Sequence, residues 1–461
     1  MKKLWKATIF ALIAVMLFAL FGCQSKKRDY LVFYVWGDNT ELSWYEKVAS
    51  DFKAESGFEV RVERSMGTYY DNLNIALNSK TKAPDIFFTQ EGEIMTQLRA
   101  GRILNLSPYI ESGALDVKTE SNADGKIELW DVNDAYLYDG QALGSGDYYA
   151  FIKDWSPDFM LWYNKSHIDE YNRENNFKEG DEGFMEYPSA TVPMTWSEFT
   201  DMSYKLTKKE GGLTTRYGTM LDRVPYSHLM EFIQMTGESV FDADGKYMNT
   251  SENVIKAYSF MSELQKGEKA SAPVIGPSGI GSGESFANGN VSFVWFGSWA
   301  YSSYNWDSVS FEIGIAPPPL PDRDEPYTEE DRYGVSSGMI ALAINKNSQN
   351  VDKAVEFLNY YMTKGQEFFA SKGYNIPGNK LVAESDDYLY PENNALGEIN
   401  RIFYEFALNY THSIGYNKYV PQSIVEDIIS KHMSTYYNNY NPDNLESVVQ
   451  AIANDLKNEV E

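Results

Sequence analysis

The 461-residue sequence is poor in cysteine, histidine and basic residues, and each shortage excludes a class of protein. A single cysteine, Cys23, leaves no partner for an intramolecular disulfide, so stability must come from the size of the core. The four histidines are scattered and form no His-Glu-x-x-His helix, which argues against metal-dependent hydrolysis, and no metal or cofactor is expected. Forty basic against 66 acidic residues give a net charge of −26, which excludes nucleic acid as a partner, because phosphate binding needs a basic face.

Aromatic residues are abundant instead, with 34 Tyr, 25 Phe and 10 Trp in a chain that is otherwise typical of soluble globular proteins. The length predicts two or three folding units, each large enough to have its own core. Tyr and Trp combine a flat apolar face with a hydrogen-bonding group. Half-exposed rings of this kind suit a surface that binds sugars or peptides.

The N-terminal segment 1–22 has the form of a secretory signal peptide, with lysines followed by the apolar run Ile9–Phe21. The run is shorter than the roughly 20 apolar residues that a spanning helix needs. It ends at Leu20-Phe21-Gly22-Cys23, which resembles the lipobox of bacterial lipoproteins. The resemblance implies that Cys23 is lipidated and that residues 23–30 are a polar tether to the extracellular face of the cell membrane.

Residues 31–88 alternate between strand and helix patterns in the order β-α-β-α-β. Such alternation predicts an α/β fold with a mainly parallel sheet and helices on both faces. Ligands of these folds bind at the carboxyl ends of the strands, which here lead into residues 37–39 and 89–91.

Asp242 and Asp244, followed by Gly245, are similar to part of a calcium-binding loop. The pattern is incomplete, because Val240 and Ser251 stand where the loop needs its first and last ligands. A tight Asp-Gly turn is the better interpretation.

Four later segments resemble, in order, sequence motifs of the extracellular solute-binding proteins of ATP-binding cassette importers, in the sugar-binding class related to maltose-binding protein. The resemblance extends over nearly everything after residue 30. The segments are Phe159–Lys165, Pro193–Phe199, Phe286–Trp299, and Asn350–Met362 with Gly373–Pro377.

The resemblance implies two lobes, each discontinuous in sequence, with an oligosaccharide bound in a cleft that closes on it. Lobe one would contain residues 31–150 and 316–370, and lobe two residues 151–315 and 371–461. The protein would be a monomer that delivers its ligand to the membrane permease of the importer, without acting as an enzyme.

The same resemblance implies ligand contacts from Tyr163 and Trp299 in lobe two, and from Trp36, Asp38, Gln90 and Glu91 in lobe one. Trp155 is added because it follows the first crossing between the lobes. Each residue also has a structural interpretation. Tyr163 could be a core residue, Trp299 could support the preceding strand, and Trp36 could pack below a loop. Asp38 could cap a helix, and Gln90 and Glu91 could form a solvated helix start.

Two other functions stay open at this point. A secreted glycoside hydrolase would use paired carboxylates, and acidic residues abound, but no short carboxylate motif stands out. A surface lipoprotein could also bind glycans without an importer. The one cysteine, Cys23, is assigned to lipidation, so no free cysteine supports nucleophilic chemistry.

Overall fold

A computed structural model describes residues 28–79, 82–130, 147–221, 225–273, 281–303, 309–331, 335–372, 375–392, 394–412, 417 and 419–461. The predicted signal peptide 1–22 and the predicted lipidation site Cys23 lie outside this part of the chain. The strands are β1 Tyr30–Val35, β2 Glu59–Arg64, β3 Ile86–Thr89, β4 Ala150–Pro157, β5 Met160–Asn164, β6 Lys208–Glu210, β7 Leu213–Met220, β8 Val291–Phe296, β9 Ile313–Ala316, β10 Val335–Ile344, β11 Ile376–Pro377 and β12 Thr411–His412.

The helices are α1 Asn39–Ser56, α2 Tyr69–Leu77, α3 Glu91–Arg99, α4 Ser107–Glu111, α5 Lys165–Glu174, α6 Trp196–Leu206, α7 Pro225–Met235, α8 Glu252–Lys266, α9 Ser282–Ala287, α10 Ala300–Ser303, α11 Val351–Tyr360, α12 Gln366–Ala370, α13 Lys380–Ala383, α14 Asp386–Leu389, α15 Asn394–Tyr410, α16 Gln422–Asn438 and α17 Leu445–Val460. Short helical turns of other types are Glu329–Asp331, Tyr361–Gly365 and Pro442–Asn444. Among the helices described, none is both long enough and apolar enough to cross a membrane.

The chain divides into two compact units. The first unit contains the described residues up to Phe87 together with Ile344–Ala354. Its strands pair in parallel, and Phe33 of β1 lies opposite both Val62 of β2 and Ile86 of β3. The β-α-β-α-β order and the parallel pairing predicted from the sequence are confirmed here.

Helix α1 of the first unit begins and ends where its sequence signals lie. The side chain of Asp38 accepts hydrogen bonds from the backbone N–H groups of Thr40 at 2.7 Å and Glu41 at 2.9 Å. Gly57 ends the helix in a left-handed conformation with φ of 70°, which glycine adopts without steric cost. Local signals of this kind explain why the sequence predicts the helix so closely.

The second unit contains Phe88–Ala343 and Val355–Glu461. Its five-stranded sheet has the order β6-β7-β8-β5-β9. Among the strands described there, β7 and β8 pair in parallel, whereas β5–β8, β5–β9 and β6–β7 pair antiparallel. Strand β4 pairs antiparallel with β10 and β11. The expectation of mainly parallel strands therefore fails in this unit. Strand β4 is followed after two residues by β5; β10 runs antiparallel to β4, and β8 and β9 run antiparallel to β5.

Aromatic side chains fill the core of the second unit. Phe199 contacts Phe293 and Trp295 edge to face, with ring centroids 5.4 and 5.2 Å apart. Trp196 and Phe260 stack face to face at 4.4 Å. Much of the aromatic surplus therefore stabilises the interior, where each ring removes a large apolar area from water.

The predicted boundaries of lobes one and two are an interpretation of the family resemblance and stay a prediction.

Candidate functional site

Two residues separate Trp299 from the end of β8, and all six residues of this strand are buried. Gly297 and Ser298 lead out of the strand, and α10 begins at Ala300. The indole contacts the ring of Phe296 edge to face at 5.3 Å and is half-buried. A rigid strand thus fixes the backbone of Trp299 while part of its surface stays accessible.

The carboxyl of Asp158 binds the indole N–H of Trp299, with 3.2 Å between Nε1 and Oδ1. Asp158 lies in the two-residue connection between β4 and β5, and the same oxygen accepts from Ser156 Oγ at 2.9 Å. The sequence analysis missed this residue. Its signal was that Asp158 is the one charged residue between Trp155 and Asn164.

Two glycines leave room for the Asp158 carboxyl. A Cβ on Gly338 of β10 would lie 1.6 Å from Oδ2, and a Cβ on Gly297 would lie 2.5 Å from Oδ1. Real atoms cannot approach so closely, so any larger residue at either position would displace the carboxyl. Three separate segments of the second unit therefore shape the surroundings of this one side chain.

Burial raises the pKa of the Asp158 carboxyl from 3.8 to about 7, because desolvation penalises the charged form. The hydrogen bonds from Ser156 and Trp299 act in the opposite direction, and the charge of Asp154 adds to the rise. Near neutral pH the carboxyl is present in both forms, so it can accept hydrogen bonds or donate one.

A buried polar chain lies behind Ser298. Its Oγ donates to Asn375 Oδ1 at 3.0 Å, and Asn375 Nδ2 donates to Asp154 Oδ1 at 2.9 Å. Asp154 is also ion-paired with Lys153, and both side chains are almost fully buried. These bonds attach the segment that contains Trp299 to β4 and to the residues just before β11.

Trp155, one of the predicted contacts, lies within β4 and is 2% exposed. Its ring contacts Trp130 edge to face at 5.0 Å, and Trp130 donates its Nε1 to the carbonyl oxygen of Pro377 at 2.9 Å. Within the described part of the chain, the Nε1 of Trp155 has no hydrogen-bond partner. The structure places Trp155 beneath the surface, and a ligand contact stays a prediction.

Tyr163 lies in the core of the second unit and is 4% exposed. Its hydroxyl donates to the carbonyl oxygen of Pro188 at 3.3 Å, and burial raises its pKa to about 12. Gly314 of β9 is needed opposite the ring, since a Cβ there would lie 2.0 Å from a ring carbon. This packing accounts for Tyr163 without a ligand, and its predicted role in binding stays untested.

Trp36 and Asp38 follow β1 in the first unit. The half-buried Trp36 ring contacts Tyr69 at 4.5 Å and Tyr70 at 6.1 Å, both edge to face. Asp38 is exposed and forms the capping box of α1, in which Glu41 accepts from the Asp38 N–H at 2.9 Å. Capping is therefore an observed role of Asp38, whereas ligand contacts from either residue stay predictions.

Gln90 and Glu91 stand at the start of α3 in the second unit. Gln90 is exposed, has extended backbone, and its side chain forms no capping bond with the helix. Glu91 is the first helical residue. Their position after β3 agrees with the predicted helix start, and a ligand contact from either one stays a prediction.

The described residues contain no group of three or more His, Cys, Asp or Glu side chains that could bind a metal ion. Asp242 forms a turn in which its Oδ1 accepts from the Lys246 N–H at 2.7 Å, as the turn interpretation requires. Both ring nitrogens of His167 are hydrogen-bonded, to Asn164 and Ser292.

A cavity of about 800 Å³ lies elsewhere in the second unit, over the stacked Trp196 and Phe260. Its rim combines three cationic with three acidic side chains: Lys256, Lys269, Arg323, Glu263, Glu268 and Asp322. None of the predicted site residues lines it. The candidate site is therefore the surface around Trp299 and Asp158.

A family model described as bacterial extracellular solute-binding protein matches residues 36–368, more than two thirds of the chain. No curated protein matches the sequence. Solved structures do resemble it. An ABC substrate-binding protein from Listeria monocytogenes in complex with cycloalternan superposes with a TM-score of 0.71 at 15% identity, covering 93% of this chain and 98% of that one.

Two further structures show the same fold. The maltotriose binding protein of Thermus thermophilus, bound with maltotriose, has a TM-score of 0.67 at 17% identity and covers 94% of this chain and 100% of its own. A Mycobacterium tuberculosis protein in complex with glycerophosphocholine has a TM-score of 0.70 at 15% identity, covering 94% and 98%. The predicted fold class, that of the two-lobed periplasmic binding proteins, is confirmed.

Proposed function

The chain belongs to the bacterial extracellular solute-binding proteins, and we propose that it captures an oligosaccharide at Trp299 for an ATP-binding cassette importer. The observation behind this proposal is the half-buried indole at the end of a buried strand, bonded to a carboxyl. A sugar ring has an apolar face of C–H groups and a rim of hydroxyls. The indole surface suits the apolar face of such a ring.

The ligands of the compared structures support the choice of substrate class. The Listeria and Thermus proteins are bound to carbohydrates, and the Mycobacterium protein is bound to glycerophosphocholine. An indole also suits a quaternary ammonium group, through cation–π attraction. Glycerophosphocholine is therefore the appropriate competing ligand in a test of sugar binding.

The family and the N-terminal pattern support a proposal for the partners and the location. We propose that lipidated Cys23 anchors a monomer to the extracellular face of the cell membrane, and that the ligand-bound form delivers its sugar to the permease. A ligand can shift the equilibrium between open and closed lobes only as far as its affinity for the closed state exceeds its affinity for the open state. Closure itself is an expectation from the family resemblance.

We propose further that the ligand leaves unchanged. The family is one of solute-binding proteins rather than of enzymes. Purified protein incubated with oligosaccharides should yield no shortened products by chromatography. Shortened products that disappear with an Asp158→Asn variant would instead favour a glycoside hydrolase.

Calorimetry with the mature protein against monosaccharides, linear and cyclic oligosaccharides and glycerophosphocholine tests the proposal. A ligand at 100 times its Kd should raise the free energy of unfolding by about 2.7 kcal/mol, which thermal shift detects. Trp299→Ala should weaken the best ligand about 30-fold, because some 80 Å² of stacked area contributes about 2 kcal/mol.

Tyr204→Ala is the matched control, because Tyr204 is an exposed aromatic residue on α6, away from the site. The Tyr204→Ala variant should bind the best ligand with the same affinity as the unmodified protein. Equal affinities for Trp299→Ala and the control would remove Trp299 from the site. Binding of glycerophosphocholine alone would overturn the oligosaccharide assignment.

A further inference from the structure

We infer that Asp158 is a positioning residue, whose carboxyl fixes the plane of the Trp299 indole and thereby the surface on which a ligand ring stacks. That a ligand stacks on Trp299 rests on the proposed function. The hydrogen bond between Trp299 and Asp158 is observed within the second unit and does not depend on that proposal. The inference concerns a residue that acts through Trp299 rather than on the ligand.

The indole of Trp299 has one hydrogen-bond donor, and Asp158 accepts it at 3.2 Å. The ring also contacts Phe296 edge to face at 5.3 Å. Trp299 lies beyond the end of β8, and the backbone there is compatible with several side-chain rotamers of this residue. An acceptor on one edge selects the rotamer that directs Nε1 toward β4.

The carboxyl can select a rotamer only if it is itself fixed. Ser156 Oγ donates to Oδ1 at 2.9 Å, so one oxygen serves both donors. Gly297 and Gly338 surround the carboxyl closely enough that a Cβ on either residue would overlap it. The position of Asp158 is thus set by β4, β10 and the end of β8 together.

The strength of the positioning bond depends on the charge of the carboxyl. An ionised acceptor binds an N–H about twice as strongly as a neutral one. The titratable groups on β4 are Asp154, which opposes ionisation, and Lys153, which is ion-paired with Asp154. Residues 297–299 and Gly338 add none. The indole should therefore be held more firmly as pH rises through the titration of Asp158.

Tryptophan emission tests this in the ligand-free protein. The difference spectrum between the natural protein and Trp299→Phe isolates the emission of Trp299, and Trp44→Phe, on α1 of the first unit, is the control. We expect the Trp299 emission to titrate with a midpoint near pH 7, and Asp158→Asn to abolish the titration. A pH-independent difference spectrum, or one that titrates equally in Asp158→Asn, would overturn the inference.

Ligand affinity gives the second readout, with the best ligand of the calorimetric panel. Asp158→Ala should weaken binding about tenfold, whereas Asp158→Asn, which keeps a neutral acceptor, should stay within about threefold. In a Trp299→Phe background, Asp158→Ala should cost less than about twofold, because the donor is already gone. If the affinity losses of Asp158→Ala and Trp299→Phe multiply in the double variant, Asp158 does not act through Trp299.

The two proposals fail in different ways. If no ligand of the panel binds the natural protein, the proposed function fails, while the emission titration still decides the positioning role. If ligands bind and Trp299→Ala weakens them, but Asp158→Ala and Asp158→Asn behave alike, the proposed function stands and the positioning role is wrong. Should Asp158→Ala not fold, the Asp158→Asn titration decides alone.

Discussion

Replacing Asp158 by Asn should make the protein more stable at alkaline pH and leave it nearly unchanged at acidic pH. The carboxyl has an ordinary pKa of 3.8, and burial raises the pKa in the folded protein to about 7. Between these values the folded protein retains the proton that the unfolded chain releases. The contribution of this group to the free energy of unfolding is therefore greatest below its pKa in the unfolded chain. It falls as the pH rises to about 7 and is constant above that.

The change in the free energy of unfolding can be calculated from the rise in the pKa of Asp158. Roughly three pKa units at about 1.4 kcal/mol each give about 4 kcal/mol between pH 4 and pH 8. The carboxyl is partly accessible, so solvent reduces the penalty on its charge, and we expect about 2 kcal/mol. The asparagine has no charge to desolvate and keeps an acceptor for the Trp299 indole.

Urea denaturation at a series of pH values from 4.5 to 8.5 measures the effect, followed by emission and circular dichroism so that the two units can be separated if they unfold independently. Asp244→Asn is the control, because it removes the same charge from an exposed turn of a protein with a net charge of −26. The stability gain should be confined to Asp158→Asn and should grow between pH 5 and pH 7. Parallel curves for the two variants would show that the Asp158 pKa is ordinary.

The sequence predicted the first unit well because its signals are local. An N-cap aspartate, a periodic apolar face and a terminal glycine define α1, and Asp38 and Gly57 are residue types typical of those two positions. Parallel pairing followed from the alternation of strands and helices. The likeness to solute-binding proteins came instead from four sequence motifs taken in order, and the match to residues 36–368 confirms the family.

Strand direction in the second unit could not be predicted in the same way. Periodicity identifies a strand but does not say which neighbour it joins, and pairs such as Trp155 with Met339 join residues far apart in sequence. The aromatic surplus was ambiguous for a related reason. Composition does not separate rings in a core from rings at a surface, and several that were available for a sugar surface are buried, including Trp155, Trp162, Trp196, Trp295, Tyr163, Tyr258, Tyr361 and Tyr388.

The candidate site shows the limit most clearly. Trp299 was found through a family motif, but its acceptor Asp158 has no motif, because the contact depends on the close approach of β4, β8 and β10. Ser298 and Asn375 likewise meet only in the folded chain. Physical signals for such residues exist, since a lone acid in an apolar run needs a partner or a raised pKa. The sequence alone does not say which of the two applies.

Three further predictions concern neighbouring side chains. Gly338→Ala should lower the free energy of unfolding by about 1 to 3 kcal/mol, because the new methyl group overlaps the Asp158 carboxyl; unchanged urea denaturation would show that the carboxyl moves without cost. Tyr163→Phe should cost about 1 kcal/mol, since the hydroxyl loses its bond to Pro188, and calorimetry with the best sugar then decides whether this residue also contacts ligand. Asp38→Ala should lower stability by about 1 kcal/mol, because the first turn of α1 loses its cap, whereas Asp38→Asn should cost little, since an amide oxygen accepts the same two N–H bonds. If capping is the whole role of Asp38, sugar affinity is unchanged in both variants; an equal loss of affinity in both would show that the charged oxygens contact the ligand, as the family resemblance predicts.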